Sequence, residues 1–474
     1  MTNFKISNNV DSEKIFLVNH SEIDKRLDPF YYIPNLVKLE EKVNEANPRK
    51  LKKFVKSIAS GATPKTTESE KYYSNKDNGV PFLRVQNLSS TGLLNYDNLK
   101  YINLETHNGM LNRSKVKSGD LLIKITGVGR MAIASVVPDN FEGNINQHIV
   151  VIKTGDTEIS KTIAAFLNSD IGEKLASRRS TGGTRPALDY PALLSIPIVF
   201  NKKILEIIDK AVEFKNRKET KAQELLDGID DYLLNKLGIK LPEEDNMLKN
   251  RVFTTNLSEV SGGRLDAYYY QNIFTACNKK IKQSIYQITK LKNCLNNTLI
   301  KGRLPSEKEK GGNCKVIQIN SIRSDGTINF DKLITAQDIF TKYQLLINDD
   351  ILIVITGATI GKIALWKNTS DKYYLGGDIV KFQVNNRCVP NYIYSFLKTK
   401  FARTHFRRSI TGATNGHLST NDIMNLLIPL PPLSKQEEIA NHISKIRKQA
   451  KALQQEAITA LENTKRKIEE IIIG

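Results

Sequence analysis

Residues 120–127 read DLLIKITG, and residues 350–357 read DILIVITG. Each is an acidic turn followed by a short, Ile- and Leu-rich run that ends in Thr-Gly, the pattern of a buried strand leading into a tight loop. Outward from this pair, the flanks repeat as well. LRVQNLSSTGLLNYD, residues 83–97, returns as IQINSIRSDGTINFD, residues 317–331. RRSTGGT from Arg178 returns as RRSITGAT from Arg407. RLD at 26–28, with Phe30, Tyr31 and Tyr32 behind it, returns as RLD at 264–266 with Tyr268, Tyr269 and Tyr270. The displacement drifts from 238 residues at the RLD motif to 234 and then 230, with the order kept. A tandem duplication trimmed by small loop deletions leaves this record.

Within each repeat, strand-like runs such as LLIKI (121–125), MAIASVV (131–137) and HIVVIK (148–153) alternate with helical stretches such as KTIAAFLNSDIGEKLASRR (161–179). Each repeat is therefore expected to be an α/β globule of the mixed α+β kind. The composition changes after each one. From Asn201 to about Leu237, Ile204, Ile208, Ala211, Ala222, Leu225, Ile229, Leu233 and Leu237 recur mostly at helical spacing, with Gly238 as the stop and Pro242 beyond it. From PLPPLSKQEE onward, Ser434 and Glu437 have the spacing of a capping box. The seam that follows, Ile439, Ile443, Ile446, Ala450, Leu453, Ala457, Ala460, Thr464, Ile468 and Ile471, is close to a heptad. Helices of roughly 35–40 residues would be about 50–60 Å long. The duplication supplies a matched pair, so the two are expected to pack as an antiparallel coiled coil. The expected boundaries are 1–200 and 243–430 for the globules, and 201–242 and 431–474 for the helices.

Lys and Arg outnumber Asp and Glu by 70 to 50, giving a net charge of +20 over 474 residues. That surplus points to an acidic partner, nucleic acid before an anionic membrane surface. Four cysteines, Cys277, Cys294, Cys314 and Cys388, show no CxxC or His spacing, which favours a reducing cytoplasm over a disulfide framework. The N-terminal MTNFKISNNVDSEK has no apolar core of the signal-peptide kind, and the longest apolar stretch, 351–366, is broken by Lys362 and glycines. No membrane association is expected.

Several chemistries are excluded by spacing. ITGATIGKIA from Ile355 imitates a phosphate-binding loop, but its glycines are one residue too close and Ile363 stands where a hydroxyl should hold magnesium. No acidic pair with a nearby Lys follows a strand, and no GxGxxG opens a helix, so neither a metal-dependent nuclease nor a methyltransferase site is present. The six histidines show no ligand spacing.

What remains is a set of basic and amide side chains at corresponding places in both halves. Arg84, Gln86 and Asn87 correspond to Gln318, Asn320 and Ser321, with Arg323 just beyond. Arg178 and Arg179 correspond to Arg407 and Arg408; Arg185 lies in the first glycine turn, Asn415 and His417 in the second. Arg130 and Lys362 follow the two ITG strands. Two polar loops that differ between the halves, KTTESEKYYSNKDNG (65–79) and KGRLPSEKEKGGN (301–313), add Lys65, Thr66, Lys301 and Arg303. Arg and Lys grip phosphates or read guanine, and Asn and Gln read adenine. These are the candidate DNA-binding residues; no catalytic or metal-binding residue is expected.

The whole pattern resembles the specificity (S) subunit of type I restriction–modification systems. The resemblance rests on the GDLLIKITG and DDILIVITG strands and on RRSITGATNGHLSTNDIMNLLIPLPPLSKQEEIANHI, with its GxTxxHLS-like turn and IPLPPLxxQ helix start. The first-half counterpart, SIPIVFNKKILEIID, lacks the PPLxxQ start. The resemblance implies two target-recognition domains, each reading one part of a split double-stranded DNA target, with the paired helices setting the unread gap. It implies a non-catalytic chain without its own cofactor. Two methyltransferase subunits would dock on the helices and a restriction motor-nuclease would join them, with S-adenosylmethionine, ATP and magnesium on those partners. A stand-alone DNA-binding protein of the same shape, and a specificity subunit of another defence system, are the alternative readings.

Overall fold

The computed structural model describes residues 9–24, 26–96, 98–242, 252–260, 266–357, 359–367, 371–412 and 416–473. Arg264 and Leu265 of the second RLD motif, and Thr414 and Asn415, lie outside the described residues. The chain divides into two compact units, one of residues 1–219 with 453–474, the other of residues 220–452.

In the first unit, a four-stranded antiparallel sheet has the order Ser57–Ser60, Ile149–Lys153, Leu121–Lys124, Ala134–Val136. Leu121–Lys124 is buried along its whole length. That is why its sequence lacks polar–apolar alternation. A second sheet places Val80–Leu83 beside Lys100–Ile102 and, in parallel, beside Glu142–Ile145. A short ladder joins Arg49–Lys50 to Pro197–Ile198.

The second unit reproduces this topology. Ile300–Lys301, Ile379–Phe382, Ile351–Val354 and Ile363–Leu365 form the four-stranded sheet in the same order. Lys310–Ile317 lies beside Ile334–Ala336 and parallel to Tyr373–Leu375, and Ile288–Lys290 pairs with Leu427–Pro429. Close approaches recur too. A Cβ on Gly61 would collide with the Ile145 carbonyl, and one on Gly302 with the Gly376 carbonyl. Both glycines follow the first strand of their sheet, where only a bare backbone fits.

Each unit then packs two consecutive helices on its sheet: Thr157–Asn168 with Asp170–Arg179, and Pro390–Leu397 with Lys400–Ser409. The break between them is an N-cap in both cases. Ser169 accepts from Gly172 N–H, and Thr399 from Ala402 N–H. These caps fix the residue-by-residue correspondence of the two units.

The long helices run Lys202–Lys236 and Leu433–Ile473. Asn201 starts the first, its side chain accepting from Lys203 N–H at 2.9 Å. Gly238, at φ +70°, ends it: Gly238 N–H donates to Asn235 O and Ile239 N–H to Leu234 O, a Schellman turn. The second helix departs from the expected capping box. It begins at Leu433, so Ser434 is already inside it, and the buried side chain that secures its start is Gln436. Gln436 Nε2 donates to Pro431 O and Arg387 O, and Oε1 accepts from Val389 N–H.

Within the first unit, Ile204 shares a core with Ile468 and Ile472, while Lys218 pairs with Glu456. Within the second, the Tyr232 and His442 rings stack at 4.1 Å and Lys236 Nζ lies 3.8 Å from Glu438. In each unit the first helix advances as the second recedes. The two long helices therefore pair antiparallel, beside tandem α/β repeats, as the sequence led us to expect.

Candidate nucleic-acid interface

Loops from separate parts of each repeat converge on one edge of the four-stranded sheet. In the first unit, Gly127 N–H donates to Pro186 O at 3.0 Å and Leu188 N–H to Ile125 O at 2.8 Å. These bonds clip the ITG loop to the turn that Thr181 and Ala187 close. Ile125 N–H donates to His148 O, Gly61 N–H to Ile149 O and Asn146 N–H to Leu83 O. The segments after Gly61 and Leu83, the ITG loop, the 146–148 turn and the 181–187 turn thus share one edge. The second unit repeats the clasp: Gly357 to Gly416 O, Leu418 to Ile355 O, Ile355 to Asp378 O, Gly302 to Ile379 O and Gly376 to Ile317 O.

The first ITG loop stands on a buried lysine. Lys124 Nζ donates to Val128 O and Arg130 O, each at 2.9 Å. Burial lowers the pKa of its ammonium. Arg130 is a strut of the same loop: Nη1 meets Asp170 Oδ1 at 2.9 Å and Nη2 donates to Asn168 O at 2.6 Å. Lys362 donates to Ile322 O at 3.2 Å in the second unit.

Other candidates are committed to the interior. Arg178 and Arg179, 7% and 5% exposed, both pair with Glu40. Arg178 Nε also donates to Tyr31 O, and Arg179 Nε to Ser195 Oγ. Burial alone would raise the Glu40 pKa, but the two guanidiniums hold it below the usual carboxylate range. Arg26 closes the clasp by donating to Arg179 O and Ser180 O. The RLD-aromatic and Arg-Arg motifs recur together because they hold each other. In the second unit Arg408 Nε donates to Tyr269 O, its guanidinium 3.8 Å above the Tyr269 ring. Asn87 is fully buried. Its side chain accepts from Arg84 N–H and donates to Asn95 O, which shapes the loop that follows Leu83. Arg178, Arg179 and Asn87 thus spend their polar groups on protein partners, and Arg130 spends its two terminal nitrogens on Asp170, Asn168 O and Ser169 O.

The remaining candidates are more open. Lys65, Thr66, Gln86 and Arg185 are exposed in the first unit, and Lys301, Arg303, Asn320, Arg323 and Arg407 in the second. Lys65 lies 3.4 Å from Glu68, Arg303 is braced by Glu309 and Ile339 O, and the Arg407 guanidinium lies 5.8 Å above the Phe274 ring. Arg84, Gln318, Arg408 and His417 are half-buried. Arg84 reaches Asn98 O, and His417 Nδ1 lies 3.3 Å from Thr356 Oγ1. Asn415 lies outside the described residues.

Sequence reading overlooked one turn. Asn146-Gln147-His148 in the first unit and Gly376-Gly377-Asp378 in the second occupy the same place before equivalent strands. Gln147 bonds Thr63, and Asp378 is exposed with a backbone φ of +63°. The available signal was divergence between otherwise matching halves. Among the described residues, no group of His, Cys, Asp and Glu is arranged to hold a metal, and no helix is long and apolar enough to cross a membrane.

Residues 284–463 match the family described as type I restriction modification DNA specificity domain. A 149-residue stretch is 27% identical to the type I restriction enzyme MjaVIII specificity subunit of Methanocaldococcus jannaschii. It covers 31% of this chain and 32% of that protein, so the chain spans about a third of the length of the curated relative it matches. Among solved structures, a chain of a type I R-M system aligns over 90% of this chain and 95% of its own at 15% identity, with a TM-score of 0.40. The type I restriction-modification S subunit from M. genitalium aligns over 90% and 94% at 12% identity, with a TM-score of 0.37.

Proposed function

Because residues 284–463 match the family described as type I restriction modification DNA specificity domain, we propose that the chain is the DNA sequence-specificity subunit of a type I restriction–modification complex. In this reading it is non-catalytic. Residues 1–200 and 243–430 are the two target-recognition domains, and residues 201–242 and 431–474 the helical spacers. Each recognition domain reads one half of a split target. The paired helices dock two methyltransferase subunits, and a restriction motor-nuclease joins them; S-adenosylmethionine, ATP and magnesium belong to those partners.

One observation carries the reading: the half outside the family match has the same four-stranded sheet order and the same loop clasp as the half inside it. Two copies of one scaffold, each presenting different side chains at one edge, suit two different half-sites. Phosphate contacts would come from Lys65, Arg185, Lys301, Arg303, Arg323 and Arg407, and base contacts from Gln86, Gln147, Asn320 and Asp378. Arg84, Gln318, Lys362, Arg408 and His417 would line the same edges, and Asn415 stays a candidate contact by sequence alone. Net charge of +20 would drive most of the affinity, with steep salt dependence.

The test is genome-wide adenine methylation in the host with and without this gene. Loss of methylation at one split motif of fixed gap supports the reading. If the purified chain methylates or cuts DNA unaided, the non-catalytic assignment is overturned.

A further inference from the structure

Inside the first unit, a cavity of about 260 Å³ lies between the helix Thr157–Asn168, the 90–93 turn and nearby segments of the two long helices. Its wall is largely apolar, with Ala164, Ile208, Val212, Leu461 and Ile468 among the lining residues. At its polar side, Lys465 Nζ lies 3.0 Å from Ser90 Oγ. Burial lowers the pKa of that lysine.

The duplicated unit shows what such a space can hold. Counting back from the N-caps Ser169 and Thr399, Ala164 corresponds to Tyr394 and Asn168 to Lys398. Counting from the fully buried Ile204 and Ile439, near the starts of the two long helices, Val212 corresponds to Arg447. In the second unit these side chains fill the space. Tyr394 is buried, the Arg447 guanidinium lies 4.7 Å above its ring, and Lys398 donates to Asp325 O. The matching glycines report the same contrast. A Cβ on Gly326 would collide with the Tyr394 hydroxyl, whereas one on Gly92 would meet nothing within 4 Å. The first unit has the same frame without the phenol ring and the guanidinium.

We propose that this cavity is a binding site for a small phenol, its ring against Ala164, Val212 and Leu461 and its hydroxyl at Ser90 and Lys465. The chemistry follows from the walls. Apolar cavities of this kind take up aromatic molecules readily. Ser90 and Lys465 then orient the ring, as well-placed polar groups do in small-molecule sites, while Asp139, Lys161 and Asp209 also line the cavity. The proposal is independent of the DNA-reading role.

The probe is 4-methylphenol, the tyrosine side chain itself, titrated into the full chain by ligand-observed NMR and thermal melting. Saturable binding at one site, an upward shift of the melting midpoint and weaker binding of toluene are expected. Ala164→Tyr fills the cavity and should weaken binding at least about tenfold, or about 1.4 kcal/mol. Val212→Phe does so from the facing helix, should the first variant not fold. Absence of saturable binding up to the solubility limit, or undiminished binding in a folded filled variant, would overturn the proposal.

Discussion

Lys381 Nζ lies 2.8 Å from Asp350 Oδ2, with the two side chains only 5% and 1% exposed. The first unit solves the same problem from a different place. There Asp120 pairs at 2.7 Å with Lys153, which aligns with Gln383 rather than with Lys381. Because side chains alternate along a strand, moving the lysine by two residues keeps it on the same face. The ion pair survived the divergence of the halves although its lysine did not stay in register. Both aspartates also accept a backbone N–H at the entry to the central strand, from Lys117 and Ile347.

Removing Asp350 should therefore be costly. Asp350→Ala strands a buried ammonium whose remaining acceptor is Leu345 O. Breaking one partner of such a pair costs about 3–5 kcal/mol. Urea unfolding should show this loss in the second unit. Asp120→Ala should cost less, because Lys153 is 42% exposed and can turn to water. Equal losses in the two variants would contradict the burial argument.

Glu40 gives the first unit an acid-sensitive joint. Its carboxyl pKa is held below the usual range by Arg178 and Arg179, so its pairing adds stability above the unfolded carboxylate pKa. That stability is lost as pH falls through the lowered folded value. Hydrogen exchange should show the helix Pro34–Glu45 loosening on acidification. Glu40→Gln should loosen the same helix already at neutral pH, with a flatter pH profile. A helix equally protected in both proteins at neutral pH would rule the joint out.

The start of the second long helix offers a sharper contrast. Gln436 is fully buried and makes three hydrogen bonds, whereas Ser434 is exposed. Gln436→Ala leaves Val389 N–H without its acceptor and should cost about 1–3 kcal/mol. Ser434→Ala should lie within about 0.5 kcal/mol of the parent, as exposed substitutions usually do. Chemical denaturation of the two variants separates the possibilities; a larger loss at Ser434 would restore the capping box.

The contrast also shows which features are readable from one chain. Repeats, strands and long helices are legible because their signals are periodic and local: Leu121–Lys124, the Ile439 seam and Gly238 all stand where the pattern puts them. Gln436 was not legible, because its partners Arg387 and Val389 are almost fifty residues away and reach it only through the fold. The same applies to Arg178 and Arg179. As bare sequence, a pair of arginines beside a glycine turn looks like a phosphate clamp. Glu40, nearly 140 residues upstream, turns them into an interior anchor. Matching between the halves marked scaffold, and the 146–148 turn, where the halves differ, escaped notice for lack of a motif.

That turn and the 181–187 turn beside it give a test of the proposed interface in which two substitutions should behave differently. Arg185 is exposed and, among the described residues, without a protein partner, as a phosphate contact would be. Arg185→Ala should weaken DNA binding by a similar factor on every sequence and reduce the salt slope by about 1. Gln147 is an amide on the loop edge that bonds Thr63, as a base-reading group would be placed. Gln147→Ala should leave the salt slope nearly unchanged and relax discrimination at one base pair by about 1–3 kcal/mol. Binding of the assembled complex to a set of single-base variants across a salt series measures both quantities. If Gln147→Ala changes the slope while every base preference stays intact, the 146–148 turn does not read sequence, and the contact surface of the first unit must lie elsewhere.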